Sequence, residues 1–338
     1  MYRILMLGGT GAIGTSIIDV LGNNNQYEIT VTSRQNRISE YSNVLYLQGN
    51  ANELEFLNTI PDDSYDVLVD FMNYRNENLE RNIHKLIKIA KQYIFLSSSR
   101  VYDNSQRIID ENCSLFWDTT DDVDFRNSGT YAVKKAYQER FVKEIGKNKV
   151  TIVRPYKTYM ANRLQLGEYE IKNWLRRIVN NRPIVINEDI LDKDTTLTSG
   201  TDVAKGIISL FGNLQTYGET YQIATSEYMT WGDVLNIYVK VLKEKGFNPV
   251  IYLAKNTEPI DKLFECGYHM PYDIKLGRRF NSAKIDKIKH ICYKPMKEGL
   301  EEALLKNLKE TDYSNFENTE YDEVVDDFIA NMKCRLKR

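Results

Sequence analysis

The chain has 338 residues, 42% of them hydrophobic, with 45 Lys and Arg against 47 Asp and Glu and a net charge of −2. So much apolar side chain excludes global disorder, and so even a charge balance argues against a dedicated nucleic-acid binder. No apolar run reaches the roughly 20 residues that a membrane-spanning helix needs, so no membrane partner is expected.

Tyr2–Leu7 reads as a buried strand, which leaves no room before it for a signal peptide. Ile13, Ile17 and Leu21 then recur at four-residue spacing, as on one helix face. Between the two lies "GGTGAIG", with Gly8, Gly11 and Gly14 three residues apart. A glycine-rich turn between a first strand and a first helix lets backbone N–H groups approach a pyrophosphate, and the helix N-terminus adds partial positive charge. The spacing differs from the usual dinucleotide fingerprint, but its place at the first strand–helix joint points to a cofactor.

Tyr27–Thr32 alternates like a strand and runs into "SRQNR". An acidic residue here would bind both ribose hydroxyls and favour NAD. The chain offers Ser33, Arg34 and Arg37 instead, and a guanidinium fits a 2′-phosphate bidentately. NADP(H) is therefore the preferred expectation and NAD(H) the other. Val44–Leu47 is a third strand, and Asn50 behind it is placed to touch an adenine edge. Asp66–Phe71 is a fourth, with Phe71 and Met72 at its end counted among the cofactor-binding candidates.

Asn78–Lys91 reads as a helix, and Tyr93–Leu96 as a strand that ends in serines. At the carboxyl end of a strand in an open parallel sheet, a serine hydroxyl faces the ligand crevice. The stretch 103–127 is long and acidic, with Asp118, Asp121, Asp122 and Asp124; it reads as a flap over the site or a solvated loop. Ser128–Ile145 is helical and carries Tyr131 and Lys135 four residues apart, hence on one face. An ammonium beside a phenol favours the phenolate, so such a tyrosine can move a proton at a sugar hydroxyl or ketone. Val150–Val153 is a further strand. Helices are expected at Asn173–Val179, Thr230–Lys245 and Lys297–Leu308, and the segment after Glu310 reads as a charged tail. Strands alternating with helices predict an α/β fold with a parallel sheet covered on both faces. Cys113, Cys266, Cys292 and Cys334 form no C-x-x-C pair, so reduced thiols, a cytoplasmic location and no zinc site are expected.

These motifs, in this order, resemble the extended short-chain dehydrogenases/reductases grouped as NAD-dependent epimerase/dehydratase proteins. The resemblance runs from residue 2 to about residue 308. "GGTGAIG" matches the glycine motif, "SSSRVYD" the serine motif and "YAVKK" the Tyr-x-x-x-Lys motif. "TIVRPYKTYM" resembles the Arg-Pro strand end without its usual Tyr-Gly-Pro close, and "TLTSGTDVAKGI" a later Asp-Val-Ala motif. The resemblance implies a Rossmann-type doubly wound sheet over residues 1–155, with further core elements near 195–225. A smaller mixed lobe over 156–310 would bind substrate, and 311–338 would form the tail.

The resemblance also assigns roles. Tyr131 would be the general acid/base, Lys135 would hold the nicotinamide ribose and tune Tyr131, and Ser98 would orient the substrate oxygen. Gly8, Thr10, Gly11, Ala12, Ile13 and Gly14 would hold the pyrophosphate, and Pro155 and Tyr156 would line the nicotinamide. Ser99, with Arg278 or Arg279 as a phosphate-binding arginine, would join Ser98 around a nucleotide-activated sugar. Arg176 and Arg177 are weaker candidates for the same phosphate. Dehydratases of the family carry an Asp-Glu pair directly after the active threonine; here those positions are Ser99 and Arg100. The expected function is an NAD(P)-dependent reductase or epimerase acting by hydride transfer, usually at C4, with a slight preference for a keto-sugar reductase. "DVLVDFMNYRNENLERNI" resembles an atypical branch of the family, so the alternative is a weakly active or inactive RNA- or protein-binding module. Tyr137 and Phe141 lie beyond the stripe needed to cover the sheet, and the resemblance implies a homodimer through their helix and Asn78–Lys91.

Overall fold

The computed structural model describes residues 1–103 and 107–336, except the side chains of residue 266 and of residues 333–336. It divides into two compact units. The first comprises residues 1–158, 198–225 and 280–293; the second comprises residues 159–197, 226–279 and 294–338.

The first unit is built on a seven-stranded sheet. Its strands are β1 (Tyr2–Leu7), β2 (Tyr27–Ser33), β3 (Val44–Gln48), β4 (Tyr65–Asp70), β5 (Ala90–Leu96), β6 (Val150–Pro155) and β7 (Thr220–Ile223). Their order across the sheet is 3-2-1-4-5-6-7 and every pairing is parallel. Ile4, Leu5, Met6 and Leu7 of β1 have no exposed surface. Successive strand side chains point to opposite faces, so one continuous apolar run serves two cores. Ile4 and Met6 pack with Ile17, Ile18 and Leu21 of α1 (Ala12–Leu21). Leu5 and Leu7 pack with Leu79, Ile83 and Leu86 of α2 (Asn76–Ile89) and with Val142 of α3 (Tyr131–Gly146). A fourth helix, α4 (Gly200–Ser209), returns to the first face and adds Val203, Ala204 and Ile207. Fully burying each such side chain contributes about 1.5–3 kcal/mol, which makes helices of residues with mixed propensity stable here.

The acidic stretch after β5 is neither a bare loop nor a free flap. Residues 104–106 of it lie outside the described residues. Tyr102 and Leu115 form an antiparallel bridge, and short helices follow at Phe116–Thr119 and Val123–Asn127. Phe125 is buried, Asp122 caps the second helix through the Phe125 N–H, and Asp118 pairs with Arg140 of α3. Asp118 thus fastens the segment to α3, while Asp122 is spent on the segment's own helix.

The second unit has its own core around Trp174, stacked on Tyr238 at 4.7 Å between ring centres. A short parallel pair, Ile184–Asn187 with Ile251–Ala254, is covered by helices at Ile171–Val179 and Glu320–Leu336. The helix at Trp231–Glu244 opens on a capping box of Thr230 and Asp233. The segment expected as a charged tail contributes Tyr321, Val325 and Ile329 to this core. Cys113 and Cys292 are free thiols. No helix among the described residues is long and apolar enough to cross a membrane.

Candidate active site

Three glycines open the site, and they are needed for different reasons. Gly8 stands at φ +68°, in the left-handed region, and its N–H donates to Thr32 Oγ1 at 3.1 Å. A Cβ on Gly14 would run into the carbonyl of Gly9, so this glycine lets α1 approach the turn. A Cβ on Gly11 would meet no protein atom within 4 Å. Packing does not demand glycine there, and a bare backbone beside open space is what a pyrophosphate needs. Gly11 caps α1 without a side chain, and the first turn holds no acid. With Thr10, Ala12 and Ile13, the end of α1 therefore keeps its positive pole for an anion. These residues fit a dinucleotide.

At the end of β2, Ser33 Oγ accepts from Arg37 Nε at 3.3 Å and from the Gln35 N–H at 3.2 Å. Both arginines are exposed, and they differ in that Arg37 reaches back to Ser33 on the strand end. Asn50 is engaged in its own turn, accepting from the Asn52 N–H and donating to Glu53 Oε1. Phe71 continues β4 by donating to the Leu7 carbonyl, and Met72 Sδ would lie 2.8 Å from a Cβ on Gly8.

The strand-end serines divide similarly. Ser98 Oγ accepts from the Arg100 N–H at 3.2 Å and caps a single helical turn, Ser99–Val101. Ser99, the other expected substrate contact, is engaged within the fold. It has no exposed surface, and its hydroxyl lies 2.8 Å from Gln222 Oε1 and 3.0 Å from the Arg154 carbonyl, tying β5 to β6 and β7. Pro155 ends β6 in register with Ile223, and the buried Tyr156 ring packs on Phe280 at 4.9 Å.

Tyr131 and Lys135 occupy the first two turns of α3. Lys135 Nζ lies 6.0 Å from the Tyr131 ring centre and 4.6 Å from that of Phe95. It donates to the carbonyls of Leu96 at 2.8 Å and Met72 at 3.2 Å, from the ends of β5 and β4. Burial pushes this ammonium down from 10.5 to about 8, against the pull of Asp70. The Arg100 guanidinium carbon lies 5.6 Å from the centre of the same tyrosine ring. Two cations therefore lie near this ring, 5.6 Å and 6.0 Å from its centre. Glu139, one turn beyond Lys135, forms a buried bidentate pair with Arg154, whose guanidinium lies 4.6 Å from the Tyr102 ring. This pair pins α3 to β6 below the site.

Sequence reasoning overlooked Asp70, Arg100 and Glu139 as members of this group. Glu139 could have been found by extending the four-residue spacing of Tyr131 and Lys135 one turn further. Arg278 and Arg279 belong to the second unit. Arg278 has no exposed surface and donates to the Tyr272 carbonyl, with Asp273 Oδ1 at 3.5 Å. Arg279 pairs with Asp194 at 2.6 Å and stacks on Tyr228. Arg176 and Arg177 both pair with Asp322 of the C-terminal helix.

Structural comparison finds the fold in several nucleotide-sugar enzymes. A UDP-N-acetylglucosamine 4-epimerase from Methanobrevibacter ruminantium M1, solved with UDP-N-acetylmuramic acid, aligns with a TM-score of 0.67 at 18% identity, over 92% of this chain and 99% of that one. A dTDP-glucose 4,6-dehydratase from Bacillus anthracis str. Ames, solved with NAD, gives 0.69 at 17% identity, over 92% and 97%. A UDP-glucuronic acid 4-epimerase from Bacillus cereus, also with NAD, gives 0.67 at 13% identity, over 94% and 99%. No curated protein matches the sequence significantly. Residues 4–224 match the model of the NAD dependent epimerase/dehydratase family, which spans the glycine turn, the serine-ended strand and the Tyr131–Lys135 helix. The chain belongs to that family.

Proposed function

We propose that the protein is an NAD(P)-dependent enzyme that reduces or epimerises a nucleotide-activated sugar, with reduction of a keto sugar preferred. The observation that carries this reading is the nearness of Tyr131 to both Lys135 and Arg100, the ring centre 6.0 Å from one cation and 5.6 Å from the other. Two positive charges favour the phenolate, so Tyr131 can accept a hydroxyl proton or return it to a ketone at ordinary pH. Ser98, at the mouth of β5, holds the reacting oxygen. Lys135 spends two N–H bonds on carbonyls, which leaves one for the nicotinamide ribose. When bound, the nicotinamide supplies the hydride chemistry at the sugar carbon.

The glycine turn holds the pyrophosphate, with Phe71, Met72, Pro155 and Tyr156 around the nicotinamide half. Arg34 selects the 2′-phosphate of NADP(H), supported by its exposure and by the lack of an acid at the end of β2. Ser99 and Arg100 stand where dehydratases carry their Asp-Glu pair, so loss of water is not part of the proposed reaction. Arg279 is the better of the two late arginines for a substrate phosphate, because its side chain keeps some exposure (19%). We also propose a homodimer through α2 and α3. Tyr137 stacks on Phe141, bonds Glu80 of α2 and meets Trp117, which makes a continuous aromatic face. The test of the activity is turnover. A panel of UDP-, dTDP- and GDP-sugars is incubated with NAD(H) or NADP(H) while absorbance at 340 nm and the sugar products are followed. A panel in which no sugar nucleotide is converted by protein that binds NAD(P) would remove this reading.

A further inference from the structure

Close to the proposed catalytic pair lies an acidic side chain that has no role in the reading so far. Asp70 ends β4 with no exposed surface. Its Oδ2 accepts from the hydroxyls of Tyr93 at 2.6 Å and Tyr74 at 2.9 Å, and its Oδ1 from the Met72 N–H at 2.9 Å. The Met72 N–H and the two hydroxyls give its charged form three donors. Burial raises its proton affinity, while Tyr93, the Met72 N–H, Lys135 and Tyr74 oppose that rise. A buried carboxylate of this kind needs a cation, and Lys135 is the one nearby.

The connection also runs through the backbone. Residue 72 is held on both sides. Its N–H is bonded to Asp70, and its carbonyl receives Lys135 Nζ at 3.2 Å. The turn after β4 thus carries Asp70's acceptor contact and Lys135's donor contact on the same residue. Met72 also packs its sulfur against Gly8, so the same residue touches the glycine turn.

We propose that Asp70 is a positioning residue for Lys135: it orients the residue-72 carbonyl that receives the ammonium and supplies the buried counter-charge. This rests on the reading of Lys135 as ribose ligand and tuner of Tyr131. The groups facing Lys135 are Asp70 from β4, Lys134 and Glu139 from its own helix, and the Tyr131 ring. Glu139 is committed to Arg154, and Lys134 opposes the charge, so Asp70 is the group that sustains it.

The coupling is measurable without substrate. Protein labelled at lysine 13Cε is titrated by NMR, with the Lys135 signal assigned by its loss in Lys135→Arg. In Asp70→Asn, which keeps the shape and removes the charge, the Lys135 midpoint should fall by at least about one pH unit. The reciprocal measurement follows the Asp70 13Cγ signal in Lys135→Met, where the carboxyl midpoint should rise by a similar amount, as linkage requires. Tyr93→Phe keeps the carboxylate and should move the Lys135 midpoint far less. A Lys135 midpoint unchanged in folded Asp70→Asn overturns the proposal. If that variant does not fold, an Asp70 midpoint unchanged in Lys135→Met does the same. Turnover plays no part in these readings, so an inactive wild type would remove the functional reading and leave the coupling result standing.

Discussion

The Arg100 guanidinium lies over the Tyr131 ring, 5.6 Å from its centre, and Lys135 Nζ lies 6.0 Å from the same centre. The two cations differ in how they respond to pH. Arginine stays charged throughout, whereas burial brings the Lys135 ammonium down from 10.5 to about 8. A lowered lysine pKa means that the charge is complete well below pH 8 and is lost as the pH rises through it. The alkaline limb of kcat/KM should therefore fall near pH 8. Arg100→Leu removes the cation that does not titrate, so the phenol becomes harder to ionise. In the oxidative direction its acid limb should move up by up to about one unit, and Arg100→Lys should restore most of the shift. Superimposable profiles for wild type and Arg100→Leu would show that the guanidinium does not influence Tyr131.

Tyr131→Phe should lower kcat by about 10²–10⁴-fold, the usual contribution of a general acid/base. NAD(P)H affinity should change little, because the phenol's proposed partner is the sugar oxygen. Ser98→Ala should cost less, since it removes an orienting hydrogen bond and leaves the proton donor in place. Steady-state kinetics on a turned-over sugar nucleotide, with cofactor binding followed by fluorescence, separate the two effects. A Tyr131→Phe enzyme that keeps more than about a tenth of wild-type kcat excludes Tyr131 as the acid/base.

Much of this centre is readable before folding, for a physical reason. The glycine turn and the Tyr131–Lys135 pair are local patterns, set by one turn and one helix, so spacing alone brings their atoms together. The first six strands are also visible, because apolar runs bounded by polar turns are the price of burying a sheet on both faces. Strand β7 is harder to see. It reads Thr-Tyr-Gln-Ile, and its burial depends on pairing with β6, about 70 residues away. Asp70 escapes notice because an acid at a strand end is usually a solvated turn residue. Only the distant Tyr93 and the neighbouring Tyr74 make it a buried carboxylate. Ser99 shows the same limit: its place in a serine motif suggests a ligand contact, and nothing local reveals that its hydroxyl also reaches Gln222, 123 residues on.

Arg34 gives the cofactor test. Its side chain is exposed at the end of β2, while Arg37 is occupied with Ser33. NADPH should bind the wild-type protein more tightly than NADH. Arg34→Ala should remove a charge-assisted bond of roughly 1.5–3 kcal/mol, or about 10- to 100-fold in NADPH affinity, and leave NADH nearly unchanged. Fluorescence titration of both cofactors reads this directly. Equal affinities in the wild type, or an Arg34→Ala protein that binds NADPH as before, would return the choice to NAD.

The C-terminal helix gives the stability test, because its charge pattern conceals a buried anchor. Tyr321, Val325 and Ile329 recur every four residues and reach the core of the second unit, while Asp322 between them has no exposed surface. Asp322 Oδ1 lies 2.8 Å from Arg177, which is itself fully buried, and Oδ2 accepts from Arg176 and from the Thr319 hydroxyl. Burial alone would raise this carboxyl. Arg177, Thr319 and Arg176 overcome it and hold the group at about 2, below its ordinary 3.8. A depressed carboxyl pKa stabilises the folded state above pH 3.8, and that contribution is lost as the pH falls from there through about 2. Asp322→Asn should destabilise the second unit at pH 7 by about 3 kcal/mol, because it leaves Arg177 buried with only the half-exposed Asp326 for a counter-charge. The difference between wild type and variant should shrink when unfolding is repeated near pH 2. Calorimetry at both pH values checks the magnitude and its sign. A variant whose unfolding at pH 7 coincides with that of the wild type would mean that the helix is held by its apolar stripe alone.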